Sequence, residues 1–344
     1  MPNRQFIILT EGYVDPIPAK TAVCVLRYCP HEVVALLDST QAGRTSREVF
    51  GIGDVPFVAD LDDAPQARTL LFGIANPGGK IPPAWRALML RAIERGLDIV
   101  SGMHDFLSAD PEFAAAAAAR GVRLVDVRKS PLKRVSQAVS FRPGCLRIHT
   151  VGQDCSLGKM VASVELTREL QRRGCDAKFA ATGQTGIIVE GDGYPIDCMV
   201  ADFISGAAEQ LVLDNQHHEI VVIEGQGSLV HPFYSGVTLG LLHGCQPQGL
   251  IFCYEPGRTS PLGAGHVRLP PLDRILRLTE ACASIYQPCR VIGMAMNSRR
   301  LSVAESDAER ARIRSEFGLP VCDVFRHGPA ELADAVLQLK QELA

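Results

Sequence analysis

The segment Gly152-Gln-Asp-Cys-Ser-Leu-Gly158-Lys159-Met160 limits what this chain can fold into more than any other. It follows a strand, Leu146–Val151, and precedes a helical pattern over 159–173. That is the strand–loop–helix context a phosphate-binding loop (P-loop) requires. Glycines let such a loop bend so that its N–H groups converge on phosphate oxygens. The helix N-terminus adds the positive end of its dipole, and Lys159 adds a full charge. Gly152, Asp154, Cys155, Ser156, Gly158, Lys159 and Met160 are therefore the expected cofactor-holding residues. The bland alternative is a glycine-rich turn with a chance lysine, and the placement between strand and helix weighs against it.

Two details narrow the chemistry. Five residues rather than four separate the glycines, and Met160 stands where a Ser or Thr normally ligates Mg²⁺. A thioether is a poor partner for a hard cation, and Val161 and Ala162 bring no hydroxyl. The loop is thus suited to hold a diphosphate and poorly equipped for metal-dependent γ-phosphoryl transfer, with Asp154 as the one partial substitute. No resident metal is expected.

The rest of the chain alternates strands and helices, which implies parallel, doubly wound α/β sheets. In the first half the strands are Phe6–Thr10, Val33–Asp38, Thr69–Ala75, Leu97–Val100 and Val122–Val127. Helices start at Lys20 and cover Pro83–Arg95 and Pro111–Arg120. Residues 128–144 are polar and basic, end in Pro143-Gly144, and read as a linker. The expected domains are a Rossmann-like one at 1–140 and a P-loop NTPase-like one at 141–344. Strands Ala177–Ala181, Ile220–Ile223, Gly249–Cys253 and Arg290–Ala295, with helices at 199–213, 271–285 and 329–342, complete the second. At 344 residues, 47% of them hydrophobic, the chain can build both cores.

Several polar residues fall at strand ends, the edge where such sheets bind ligands. Glu224 ends Val221–Ile223 and opens the loop Gly225-Gln226-Gly227-Ser228, where a second carboxylate faces the phosphates in P-loop proteins. Asn297 ends the last long strand and is placed to read an adenine edge or simply to form a turn. In Ala181-Thr-Gly-Gln-Thr-Gly186, Gln184 and Thr185 belong to a carboxylate nest or a tight turn. Arg258 in Glu255-Pro-Gly-Arg258 is either a fork for carboxylate or phosphate or a surface residue. His231, near the Glu224 loop, and Asp197, alternatively a helix N-cap, join Glu224 as candidate bases. In the first half, Asp38, the loop Asn76–Lys80 and His104 in Ser101-Gly-Met-His-Asp105 lie on the same kind of edge. There is no G-x-G-x-x-G after the first strand, so a dinucleotide site there is not supported.

Charge and cysteines exclude whole classes. A net charge of -3 leaves no basic field for nucleic acid, despite the local cluster Arg128, Lys129, Lys133 and Arg134. The 11 cysteines form no C-x-x-C pair and no zinc pattern. Cys24, Cys145, Cys175, Cys198, Cys253 and Cys322 lie in or beside apolar runs, as reduced core thiols do. The N-terminal run Met1–Gly12 lacks a signal-peptide layout and no apolar stretch matches a membrane span, so the expected setting is the cytoplasm, without a membrane partner.

Several strings together resemble one bacterial and archaeal family, long called a domain of unknown function and identified with D-glutamate N-acetyltransferase. They are Ala19–Ala22, Gly96–Leu107, Val125–Lys129, Gly152–Met160, Ala181–Gly186, Ala201–Phe203, Glu224–Pro232, Ser235–Gly244 and Glu255–Arg258. The resemblance spans nearly the whole chain, and the P-loop spacing is also similar to that of dethiobiotin synthetase (G-T-D-T-x-V-G-K-T). It implies a Rossmann-like domain joined to a P-loop domain. It also implies transfer of acetyl from acetyl-CoA to the amine of D-glutamate in D-amino-acid catabolism. An enolase-superfamily racemase would be the pathway partner, and a homo-oligomer is expected. Gln184, Thr185, Gln226, Ser228 and Arg258 would hold the substrate, with Lys178 a further cation for its carboxylates. The alternative is an ATP- and Mg²⁺-dependent ligase or kinase of the dethiobiotin-synthetase type.

Overall fold

The computed structural model describes residues 4–15, 17–75 and 77–344. They divide into two units. One runs to Ser130 and takes back Gln184–Cys198; the other comprises Pro131–Gly183 and Met199–Ala344. The return of a fifteen-residue segment to the first unit has no signature in the hydropathy pattern.

The first unit contains β1 (Phe6–Leu9), α1 (Lys20–Tyr28), β2 (Val33–Leu37), α2 (Ser46–Phe50), β3 (Phe57–Val58), β4 (Thr69–Phe72), α3 (Arg86–Glu94), β5 (Asp98–Ser101), α4 (Pro111–Arg120) and β6 (Leu124–Asp126). Every strand pairing is parallel, in the order β3-β2-β1-β4-β5-β6. Both faces of such a sheet are covered, which is why β1 and β4 are buried at every position. Trp85 anchors one face, meeting Phe72 and Tyr13 edge-on at 5.5 and 6.0 Å. Asn76, in one of the predicted edge loops, lies outside the described residues.

The second unit continues with β7 (Leu146–Gly152), α5 (Lys159–Arg172) and β8 (Ala177–Ala180). Then come α6 (Gln184–Glu190), which packs in the first unit, α7 (Ala201–Asn215), β9 (Ile220–Ile223), α8 (Ser235–Cys245), β10 (Gly249–Tyr254), α9 (Leu272–Ala283), β11 (Arg290–Met296), α10 (Val303–Phe317), β12 (Val321–Cys322) and α11 (Ala330–Glu342). Its sheet is also parallel, ordered β12-β11-β10-β7-β9-β8. The period-2 alternation of β10 divides its side chains between two cores. Leu250, Phe252 and Tyr254 pack with Ile275 and Ile313 of α9 and α10, whereas Ile251 and Cys253 pack with Leu166 of α5 and Val336 of α11. The fold is therefore the predicted pair of doubly wound α/β units.

All eleven cysteines are free, and burial pushes the thiols of Cys245, Cys253, Cys289 and Cys322 up to about 12, so these four are inert core residues. No helix among the described residues is long and apolar enough to cross a membrane.

Candidate phosphate-binding site

The loop between β7 and α5 turns through two residues of left-handed backbone. Gly158, with φ 98°, is the N-cap of α5, and Ser156 carries a left-handed φ of 54°, unusual for a residue with a side chain. Lys159 is buried, and its Nζ donates to the Asp154 carbonyl at 2.7 Å. The ammonium thus sits inside the ring formed by its own loop.

Gly225 explains how the neighbouring strand approaches so closely. Its N–H donates to Thr150 Oγ1 at 2.9 Å, and a Cβ at this position would fall 1.7 Å from the Thr150 carbonyl and 2.9 Å from Lys159 Cδ. Only glycine admits that contact. Beside it, Glu224 is 4% exposed, and its Oε2 accepts from the N–H groups of Thr182 and Gly183 at 2.8 and 3.1 Å. Gln226 reaches Thr182 Oγ1 at 3.1 Å, and Ser228 Oγ accepts from Val230 N–H at 3.4 Å. The Glu224–Ser228 string thus ties the end of β9 to the end of β8.

Asp154 is fully buried and is the hub of the loop. Its Oδ1 accepts from Cys155 N–H at 2.7 Å, and its Oδ2 from Leu262 N–H at 2.8 Å and from the Arg258 guanidinium. Arg258 also donates through Nε to Glu255 Oε2 at 2.8 Å. Burial opposes the Arg258 charge, but its bonds to Asp154 and Glu255 outweigh it and raise the pKa. Arg258 therefore braces the P-loop instead of presenting a free fork. Glu255, 2% exposed and within 3.3 Å of both Arg299 and Arg300, was not singled out from the sequence. Its signal was its place as an acid directly after β10. Asn297 likewise turns inward, donating to the Leu157 carbonyl at 3.0 Å.

His231 is buried, with Nε2 3.1 Å from the Leu262 carbonyl and 3.5 Å from Asp154 Oδ1. Phe233 N–H donates to its Nδ1 at 3.1 Å, which puts the ring proton on Nε2. The basic nitrogen of this candidate base is thus already occupied. The same tautomer argues against a metal, although Asp154, Cys155 and His231 bring ligand atoms within 4.8 Å of one another. A cation on Nε2 would need the proton on Nδ1, against the Phe233 N–H.

Beside the loop, a cavity of about 470 Å³ is lined by Gln153, Tyr254, Arg258, Arg268 and Leu272, within the range of ligand pockets. Gln153 closes its P-loop side, accepting from Glu255 N–H at 3.1 Å. Lys178 lies on β8, half-buried.

Three predicted site residues belong to the first unit. Thr185 Oγ1 meets Thr21 Oγ1 at 2.9 Å in the packing of α6 on α1. Asp197 Oδ2 accepts from Arg128 at 2.7 Å, and Gln184 is buried against Gly102. His104, flagged at the end of β5, meets Cys198 Sγ through Nδ1 at 3.6 Å. Burial and the nearby Arg128 charge lower its pKa.

Comparison with known proteins gives a consistent picture. Residues 39–130 match a domain of unknown function, the DUF1611_N Rossmann-like domain, and residues 134–333 match the DUF1611_C P-loop domain. A D-glutamate N-acetyltransferase of Tritonibacter scottomollicae is 37% identical over 337 residues, 98% of this chain and 99% of that protein. Another of that name from a Pseudoalteromonas species is 38% identical over 263 residues, 76% of this chain and 79% of its own. A crystal structure of a DUF1611 family protein from Anabaena variabilis matches with a TM-score of 0.91 and 36% identity, over 97% of this chain and 99% of that one. Both named relatives are acyltransferases, the enzyme class that this kinship carries.

Proposed function

Because this chain belongs to the DUF1611 family, we propose that it transfers the acetyl group of acetyl-CoA to the amine of D-glutamate, as part of D-amino-acid catabolism. The amine nitrogen attacks the thioester carbonyl carbon. A C–N bond forms, the C–S bond breaks, the ammonium proton goes to a base, and the CoA thiolate is protonated on leaving. CoA carries a diphosphate that needs to be gripped and not hydrolysed. The observation that carries this reading is the P-loop itself: a buried Lys159 inside a helix-terminal loop whose magnesium position is Met160. The names of the two curated relatives support the acceptor.

The ATP-dependent ligase or kinase reading rests on Asp154 and Glu224 as carboxylates facing a metal. It is weakened because both Asp154 oxygens and Glu224 Oε2 are engaged by protein donors. The test is to incubate the purified chain with acetyl-CoA and D-glutamate and follow free thiol. Release above an L-alanine control is expected; no release, or magnesium-dependent ADP formation from ATP, removes the proposal.

A further inference from the structure

Among the described residues of the first unit, one neighbourhood brings together three buried polar side-chain atoms that have no hydrogen-bond partner. They are Arg128 Nε, Asp197 Oδ1 and Gln184 Oε1. Arg128 and Asp197 are joined by the 2.7 Å ion pair between Nη2 and Oδ2, with side chains 11% and 20% exposed. The other Arg128 amino group donates to the Gly102 carbonyl. Gln184 is 3% exposed, and its Oε1 lies where a Cβ on Gly102 would be, 1.6 Å from that ideal position. Gly102 therefore links two of them, its carbonyl holding Arg128 and its bare α-carbon admitting Gln184, and Asp197 joins through its ion pair with Arg128.

Leaving such groups unsatisfied is costly, most of all for charged ones, so an arrangement that keeps three together calls for a common partner. Their chemistry specifies it. One is a cationic N–H donor, which suits a carboxylate; two are acceptors, one of them anionic, which suit an ammonium. An α-amino acid carries both groups on one carbon.

We infer that Arg128, Asp197 and Gln184 of the first unit form the binding site for an α-amino acid, with its carboxylate on Arg128 and its ammonium between Asp197 and Gln184. Under the proposed function, on which the choice of ligand rests, that amino acid is D-glutamate. His104 and Cys198 border the cluster, since Cys198 follows Asp197 and bonds His104. This site gives roles to the sequence-flagged residues Asp197, Gln184 and His104, none of which belongs to the P-loop unit.

Calorimetric titration of the full chain tests it, with D-glutamate, L-glutamate and D-alanine as probes and glutarate as the analogue that lacks the amine. At least one amino acid should bind, and glutarate should bind about tenfold more weakly or not at all. Asp197→Asn keeps the side-chain shape, and Gln184→Leu removes the acceptor. Each should weaken amino-acid binding by about tenfold while leaving acetyl-CoA affinity unchanged. The intact acetyl-CoA titration guards against a variant that merely unfolds. Unaltered amino-acid affinity in both variants, or binding of glutarate equal to that of D-glutamate, means the three atoms hold ordered water only and overturns the inference. So does a wild-type chain that binds no amino acid of the panel. The two proposals fail separately. If another amino acid binds and D-glutamate is not acetylated, the proposed function falls while the site stands. If D-glutamate is acetylated with an unchanged KM in both variants, the reverse holds.

Discussion

The ammonium of Lys159 and the carbonyl oxygen of Asp154 are 2.7 Å apart, so the P-loop lysine closes a ring with the backbone of its own loop. That contact holds the charge at the mouth of α5, where a diphosphate would meet it. Lys159→Ala should weaken acetyl-CoA binding by about 1.5–3 kcal/mol, the scale of a charge-assisted hydrogen bond. Calorimetry with the wild type and the variant checks this, and equal affinities would place the diphosphate elsewhere.

Asp154 supports that geometry from beneath. It is fully buried and accepts from Cys155, Leu262 and Arg258. Asp154→Asn leaves Arg258 without one of its anionic partners and turns an amide donor toward at least one N–H group. A stability loss of about 3 kcal/mol is expected in urea unfolding, the scale for breaking a buried ion pair from one side. A midpoint equal to that of the wild type would mean Arg258 and Glu255 hold the loop without it.

The chemistry at position 160 sets the response to metal removal. The Met160 side chain offers no oxygen at the usual magnesium position, and Asp154 is committed to protein donors, so neither is available to anchor magnesium. Acetyl transfer should proceed at the same rate in excess EDTA as in magnesium. A rate that collapses with EDTA and recovers with magnesium would restore the ligase-type reading.

Which parts of this were legible in sequence follows from what each element buries. The strands β9 and β10 are continuous apolar runs because both sheet faces are covered, whereas β7 is buried throughout although Arg147, His149 and Thr150 interrupt its apolar residues; the strand ends located the P-loop and Glu224. Helix α10 escaped notice because it buries only Ser306 and Ile313, which leaves almost no 3.6-residue stripe. Its start was nonetheless written in a capping box, Ser302 and Glu305 bonding each other's backbone N–H groups at 3.3 and 2.8 Å, and its end in Gly318. The local pattern at Gln184 and Thr185 suggests a nest or turn, but they begin helix α6, whose packing in the first unit depends on contacts such as Thr21–Thr185, 164 residues apart in sequence. The inward roles of Arg258 and Asn297 depend likewise on partners more than a hundred residues away. Local pattern found the right loops; long-range pairing decided which way their side chains turn.

The glycine after Glu224 offers a steric test of the β7–β9 approach. Gly225→Ala forces a methyl group to within 1.7 Å of the Thr150 carbonyl, a backbone atom that cannot swing aside. Overpacking of this kind costs about 1–3 kcal/mol or more. The variant should melt several degrees lower and bind acetyl-CoA more weakly, since the same methyl group would press on Lys159. Gly236→Ala is the control, because a Cβ there meets nothing within 4 Å. If the two variants melt alike, the close approach is not a constraint.

His149, in the middle of β7, makes stability depend on pH. Its ring is wholly buried, Nδ1 lies 3.2 Å from the Ile223 carbonyl and must donate to it, and Nε2 has no partner. Burial lowers its pKa from 6.5 to about 4, with the bond to Ile223 opposing and the Lys159 charge assisting. The unfolded chain therefore binds a proton near pH 6.5 that the folded chain refuses until near pH 4. The neutral ring's contribution is complete above pH 6.5 and is lost as the pH falls toward 4, by about 2 kcal/mol at pH 5. His149→Asn keeps a donor for the Ile223 carbonyl and removes the titration. Urea unfolding at pH 7 and pH 5 should then show a smaller drop for the variant than for the wild type, by about that amount. Equal drops in the two proteins would mean that His149 takes up its proton in the folded state at its ordinary pH, and that the space around β7 admits more water than its burial implies.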